Sequence, residues 1–229
     1  MAYSEEEGDP LADIHTVIGV IFLLLLVVGL LINGFIFHTY IRTSRLHTPT
    51  NLMVVGASIC DLTMLVIGYP FVIAASFNGK WTFGDAWCKG YGFVTTLVSV
   101  TNVCILTAIA LDRYFIILEK PFASRITNFK AGMTILSCSG YGLLWATFPL
   151  AGWGRFVVEN SEISCGPDWG SSDSLPRTYN VTIFVLVFIV PLVIITFCYT
   201  YILQKVSALS HGFFHTARFY SLIMFITVS

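Results

Sequence analysis

The chain has 229 residues, of which 56% are hydrophobic and only 11% charged, against about 25% charged in a soluble domain. Twelve Lys and Arg with thirteen Asp and Glu leave a formal net charge of −1, too few charges to coat a globule of this size with hydrated surface. Together with a mean hydropathy of +0.80, this disfavours a water-soluble enzyme, a nucleic-acid binder and a disordered chain, and makes lipid the expected solvent.

Residues 1–13 hold Glu5, Glu6, Glu7, Asp9 and Asp13 without a Lys or Arg. A secretory signal opens on basic residues, so this is read as a short acidic tail. A first apolar run covers 14–41 and is closed by Arg42, Arg45 and His47; it is long enough to span a bilayer with some tilt. Pro49 opens the second run, 51–77, as a proline at a first helical turn should. Asp61 and Pro70 interrupt that run, and Asn78-Gly79-Lys80 reads as the turn after it. Further runs follow at 86–118, 131–152 and 178–203, the last with Pro191 inside it. Beyond Lys205 the pattern weakens into a mixed segment and an apolar stub at 219–228, about half a span. The fold class is an all-α membrane protein: a transmembrane bundle of five helices in one domain, 14–205, with an atypical segment at 206–229.

Basic residues favour cytoplasmic loops. With the N-terminus outside, eight Lys and Arg fall inside (Arg42, Arg45, Arg113, Lys120, Arg125, Lys130, Lys205 and Arg218) against four outside. Ten of the thirteen acids are then external. Both signs of charge predict an extracellular N-terminus.

Asp61 is the ionisable residue deep inside a run. A charge near the bilayer centre costs about 2.5–3.5 kcal/mol on insertion scales, so it should face the bundle interior, with Asn33 as its expected partner. Asp112-Arg113-Tyr114 ends the third run on the cytoplasmic side, where the acid can hold the guanidinium in a charge-assisted pair. Of six cysteines, Cys60, Cys104, Cys138 and Cys198 lie in apolar runs as buried thiols. Cys88 and Cys165 fall on the oxidising external side, and a disulfide between them would tie the long fourth-to-fifth loop to the third helix. All five lysines sit in loops or at helix ends, so none is desolvated for covalent chemistry with a carbonyl compound. No HExxH, P-loop or G-x-S-x-G motif is present, and no enzyme activity or metal site is expected. Asn180-Val181-Thr182 is a glycosylation triplet placed at the mouth of the fifth helix, where it is expected to be unused.

Taken together, Gly29-Leu30-Leu31-Ile32-Asn33-Gly34, Asn51 with Asp61, Trp81-Thr82-Phe83-Gly84 before Cys88, Asp112-Arg113-Tyr114, and Pro191 with Tyr199 resemble a class A G-protein-coupled receptor. Within that class, the stretch from Gly152 through Glu159 to Trp169 is similar to the plug loop that caps retinal in opsins. His47-Thr48-Pro49-Thr50-Asn51 and Ile67-Gly68-Tyr69-Pro70 lean toward the peropsin-like, non-visual members. The resemblance covers 14–205. It implies a plasma-membrane photoreceptor that takes retinal as cofactor and a heterotrimeric G protein as partner, with membrane lipid and possible receptor dimerisation besides and no nucleic acid. Asp112, Arg113, Tyr114 and Tyr199 would form the G-protein switch, and Asn33 with Asp61 an intramembrane polar network. Vertebrate visual opsins have a glutamate counterion where Tyr91 stands here, so the role would pass to Glu159, six residues before Cys165. Thr95, Thr96, Ser99, Trp145, Phe184 and Phe188 match positions around the chromophore.

The sequence departs from the family in two places. Ser139 replaces a tryptophan usual in the fourth helix. The sixth and seventh helices, with the retinal-linking lysine, have no counterpart, so the chain reads as a shortened form in which covalent attachment of retinal is not expected. Two other readings stand beside the photoreceptor: a non-signalling chain that associates with full-length receptors, and a retinal photoisomerase of opsin type.

Overall fold

The structure is a computed structural model that describes residues 10–118 and 127–211. Helix α1 is Pro10–Arg42, followed by a single 3-10 turn at Ser44–Leu46. Helix α2 is Pro49–Phe77, α3 is Asp85–Leu118, α4 is Asn128–Thr147 and α5 is 174–211. The expected stub at 219–228 lies outside the described residues, as do the acidic residues Glu5 to Asp9.

Among the described residues, four helices are long and apolar enough to cross a membrane: Asp13–Arg42, Pro49–Phe77, Asp85–Ile117 and Ser174–Ser207. Helix α4 falls short of that measure for a physical reason. Gly132, Ser137, Ser139, Gly140 and Gly142 dilute its apolar content, and one of them, Gly142, lets it approach α3. A Cβ on Gly142 would sit 2.6 Å from the Leu97 carbonyl oxygen, so only glycine permits this crossing. Small residues at such contacts are the usual device for packing helices in lipid, where no hydrophobic force drives them together. At 20 residues α4 is about 30 Å long, the thickness of a bilayer core.

Two helices change pitch beside a proline. Helix α2 runs regularly over Pro49–Thr63, widens to a π turn at Met64–Gly68, and resumes at Tyr69–Phe77. Helix α5 does the same, with Ser174–Ile183, a π turn at Phe184–Ile189, and Val190–His211. Pro70 and Pro191 each follow the wide turn by two residues. A proline has no N–H and its ring crowds the carbonyl four residues back; opening the preceding turn relieves both effects without breaking the helix.

Helix α3 is the centre of the bundle and touches α2, α4, α5 and both strands. Its Ile105 and Ala110 are fully buried. One core cluster joins Met53, Ala57, Ile105, Ala131 and Cys138 across α2, α3 and α4. A second joins Val100, Trp145, Tyr179 and Ile183 across α3, α4 and α5, pinned by the Tyr179 hydroxyl donating to the Trp145 carbonyl at 3.0 Å.

Between α4 and α5 lies a small antiparallel hairpin, β1 (Phe156–Val158) and β2 (Cys165–Pro167), with Val158 opposite Cys165 and Phe156 opposite Pro167. The expected Cys88–Cys165 disulfide is formed, with a Cα–Cα distance of 5.4 Å. It clamps β2 to the first turn of α3. Arg155 fastens the hairpin's base by pairing with Asp168 at 2.7 Å and Asp173 at 3.1 Å. The Asp168 hydrogen bond, more than the charge of either acid, pushes the guanidinium above even its ordinary high range, so this clamp keeps its positive charge at any working pH. Asn180 of the glycosylation triplet is buried, and its Nδ2 donates to the Asp168 carbonyl at 2.6 Å. The nitrogen that would carry a glycan is therefore occupied inside the fold.

Candidate ligand cavity and switch end

The hairpin roofs a cavity of about 420 Å³ between α3 and α5, within the usual range of roughly 300–1,000 Å³ for ligand sites. Thr95 and Ser99, one helical turn apart, and Thr96 line it from α3; Phe184 and Phe188 line it from the π turn of α5. The two phenyl rings stack at 5.4 Å with 24° between their planes. From the roof come Glu159, Cys165, Gly166, Pro167 and Trp169.

Glu159 is the cavity's acid. Its side chain lies across Gly166, where a Cβ would meet Oε1 at 2.5 Å, and it accepts a hydrogen bond from the Ser164 hydroxyl. Its backbone N–H donates to the Ser164 carbonyl at 2.9 Å, so the acid is held by the same pairing that builds the hairpin. The Thr95 hydroxyl is turned back to the Tyr91 carbonyl at 2.9 Å. That leaves a mostly apolar chamber with a carboxylate at one end. The described lysines Lys80, Lys89, Lys130 and Lys205 are not among its lining residues.

Two residues expected at this cavity stand behind it. Tyr91 belongs to an aromatic cluster at the outer end, 5.3 Å from Trp81 and 6.1 Å from Phe71 between ring centroids. Trp145 packs into the core between α4 and α5, 5.9 Å from the Tyr179 ring. Both support the walls of the cavity and neither lines it.

Deeper in the bundle, the expected Asn33–Asp61 pairing is replaced. Asn33 Nδ2 donates to the Gly29 carbonyl of its own helix at 3.1 Å. Asp61 instead accepts from Asn102 Nδ2 of α3 at 2.7 Å. The reason is the central position of α3: Asp61 faces the helix packed against its own side, and α1 lies on the other. Asn102 was not singled out in the sequence because an asparagine among Thr101, Val103 and Cys104 carries no periodic signal.

At the other end of α3 the expected Asp112–Arg113 ion pair is also absent among the described residues. Consecutive helical residues point about 100° apart, and Asp112 is buried while Arg113 is only partly so. Asp112 is 4% exposed and accepts from the Thr50 hydroxyl of α2 at 2.6 Å. Thr50, at the start of α2, had counted only toward the peropsin-like resemblance, within His47-Thr48-Pro49-Thr50-Asn51. Tyr114 stacks with α5 through Phe197 at 5.6 Å and Tyr201 at 5.0 Å, and Lys205 Nζ lies 5.6 Å from the Tyr201 ring centre. Tyr199, the expected partner, is 46% exposed and outside this cluster.

Residues 32–211 match the family described as 7 transmembrane receptor (rhodopsin family). The chain belongs to that family. Among curated relatives, ceropsin of Bombyx mori is 33% identical over 194 residues, covering 85% of this chain and 51% of its own length. Melanopsin of Mus musculus is 33% identical, covering 84% of this chain and 37% of its own length. The structure matches the crystal structure of squid rhodopsin with a TM-score of 0.79 at 30% identity, over 91% of this chain and 56% of the squid chain. This is a class A opsin fold and an integral membrane protein, and the chain spans about half the length, or less, of the curated relatives it matches.

Proposed function

We propose that this rhodopsin-family chain serves a light-sensing receptor of non-visual, peropsin-like type, with retinal held in the cavity under the hairpin. The observation that carries this reading is the convergence of Thr95, Thr96, Ser99, Phe184, Phe188 and Glu159 on one chamber. The apolar and aromatic walls would hold the polyene, and Glu159 would supply the negative charge at its polar end. Retinal, when bound, contributes light-driven isomerisation. The chain's own part is to exclude water, to orient the ligand along the α3–α5 wall, and to pass a change in that wall to Asp112 and Tyr114, which would set how Arg113 meets the G protein. With no described lysine at the chamber, retinal is held here without a covalent link. The excess of Lys and Arg on one side supports a receptor oriented with its N-terminus outside, and the family resemblance supports the plasma membrane as its site.

Purified chain mixed with 11-cis-retinal tests this directly. Quenching of tryptophan fluorescence is expected, weakened at least fivefold in Phe188→Ala, with no borohydride-reducible band. Absence of any quenching would overturn the cavity assignment, and a reducible, light-bleached visible band would overturn the non-covalent one.

A second reading draws on the cavity's open flank, where Phe184 and Phe188 remain 47% and 54% exposed. Such a flank suits association with helices of a full-length receptor. Coexpression should then lower the receptor's surface level, and an unchanged level would count against it.

A further inference from the structure

A second apolar hollow, of about 610 Å³, opens on the membrane-facing side between α3, α4 and α5. It differs from the chamber under the hairpin in what borders it: Cys104 and Leu111 of α3, Met133 and Cys138 of α4, and Leu186 and Pro191 of α5. Of the four hydroxyls that border it, those of Thr107 and Thr134 are turned back to their own helices, and Ser137 and Tyr141 supply the other two. Thr107 donates to the Val103 carbonyl at 2.8 Å and Thr134 to the Lys130 carbonyl at 3.0 Å. The groove is mostly apolar, and its rim residues Met133 and Leu186 are 46% and 44% exposed, open to the hydrocarbon of a bilayer.

The two hollows share a wall. Val100, Val103 and Val187 line both. The π turn at Phe184–Ile189 divides its side chains between the two: Phe184 and Phe188 line the chamber, Leu186 lines the groove, and Val187 lines both. A slender apolar molecule that leaves or approaches the chamber through the membrane meets a surface of matching chemistry one valine layer away.

We infer that the α3–α4–α5 groove is a second binding site, for an uncharged linear polyene of the class the upper chamber takes. The inference rests on the retinal reading for the choice of ligand. The groove carries its own reporter, because Cys104 is a free, partly buried thiol in its wall, whereas Cys60 is a free thiol of similar burial that does not line it.

The test uses the whole chain in phosphatidylcholine nanodiscs, with all-trans-retinol as probe and a bilayer-soluble pyrenyl maleimide as label, read by peptide mass spectrometry. Retinol is expected to slow labelling of Cys104 at least fivefold and to leave Cys60 unchanged. Ala108→Phe, which narrows the groove, should remove that protection. A Ser99→Cys variant reports the upper chamber in the same reaction. Protection at Ser99→Cys without protection at Cys104 overturns the groove site and leaves the retinal reading standing; protection at Cys104 alone supports the groove and overturns the chamber assignment. Equal slowing at Cys104 and Cys60 overturns the inference as a bulk membrane effect. A Cys104 that reacts with maleimide in detergent but is blocked in lipid before retinol is added overturns it in favour of a phospholipid acyl chain.

Discussion

The hairpin end and the Arg113 end of α3 are built on opposite principles. The hairpin end is over-determined: a disulfide, an arginine held by two carboxylates, a buried Asn180 amide and the Tyr179–Trp145 hydrogen bond all fix one arrangement. At the other end, one buried hydrogen bond from Thr50 to Asp112 and an edge-on aromatic cluster around Tyr114 hold α2, α3 and α5 together. A ligand chamber benefits from walls that do not yield, while a switch needs contacts whose loss costs little enough to be driven by a ligand's differential binding. The molecule separates the two demands along the length of one helix.

The largest test of this contrast is Cys165→Ser. Removing a native disulfide costs about 2–5 kcal/mol, so thermal unfolding in detergent should begin well below that of the parent chain, and hydrogen exchange should spread through the hairpin while leaving the Tyr114 cluster protected. A uniform rise in exchange at both ends would deny that the ends are separately held. Next in size is Thr50→Val, which leaves a buried carboxylate without its donor at about 1–3 kcal/mol; here exchange should rise at the start of α2 and the end of α3, with the hairpin unaffected. Asn102→Leu strips Asp61 of its partner, and interhelical hydrogen bonds in lipid average about 0.6 kcal/mol. Its denaturation midpoint should fall by less than that of Thr50→Val, whereas Asn33→Leu, bonded only within α1, should fall by less still. Tyr199→Phe is the smallest: a change at an exposed position should stay within about 0.5 kcal/mol, while Tyr201→Ala should loosen α5 against Tyr114, seen as increased mobility of a spin label on Lys205→Cys.

Hydropathy alone located α1, α2, α3 and α5, because runs near 30 residues with few charges have little alternative to spanning a bilayer. Helix α4 was legible but misjudged at its ends. It starts at Asn128, ahead of the expected 131, because Thr127 caps it by accepting from the Lys130 N–H at 3.3 Å, and it stops at Thr147 where residues 148–152 turn toward the hairpin. Strands of three residues are too short to show alternation, so β1 and β2 were hidden inside a loop. Lateral partners were the least legible. Asp61 announced that it needed one, but choosing Asn102 over Asn33 requires knowing which helix lies on which side. Tyr91 and Trp145 show the same limit: whether such a residue lines the cavity or stands behind its wall depends on how each helix is rotated, which no linear pattern gives.

In α2 and α5, rotation is reset within the helix by the wide turns before Pro70 and Pro191. Each residue of a regular helix advances about 100° around the axis, so one extra residue in a turn dephases everything beyond it. Helix α5 is in this sense two helices in different phase, joined at Phe184–Ile189: the upper one is indexed to the cavity, the lower one to Tyr114. Deleting one residue from that turn would leave the hydropathy profile almost untouched, yet it would swing Tyr201 away from Tyr114 by about a quarter of a revolution. A single-residue gap there is therefore a change of function that no apolar profile would register.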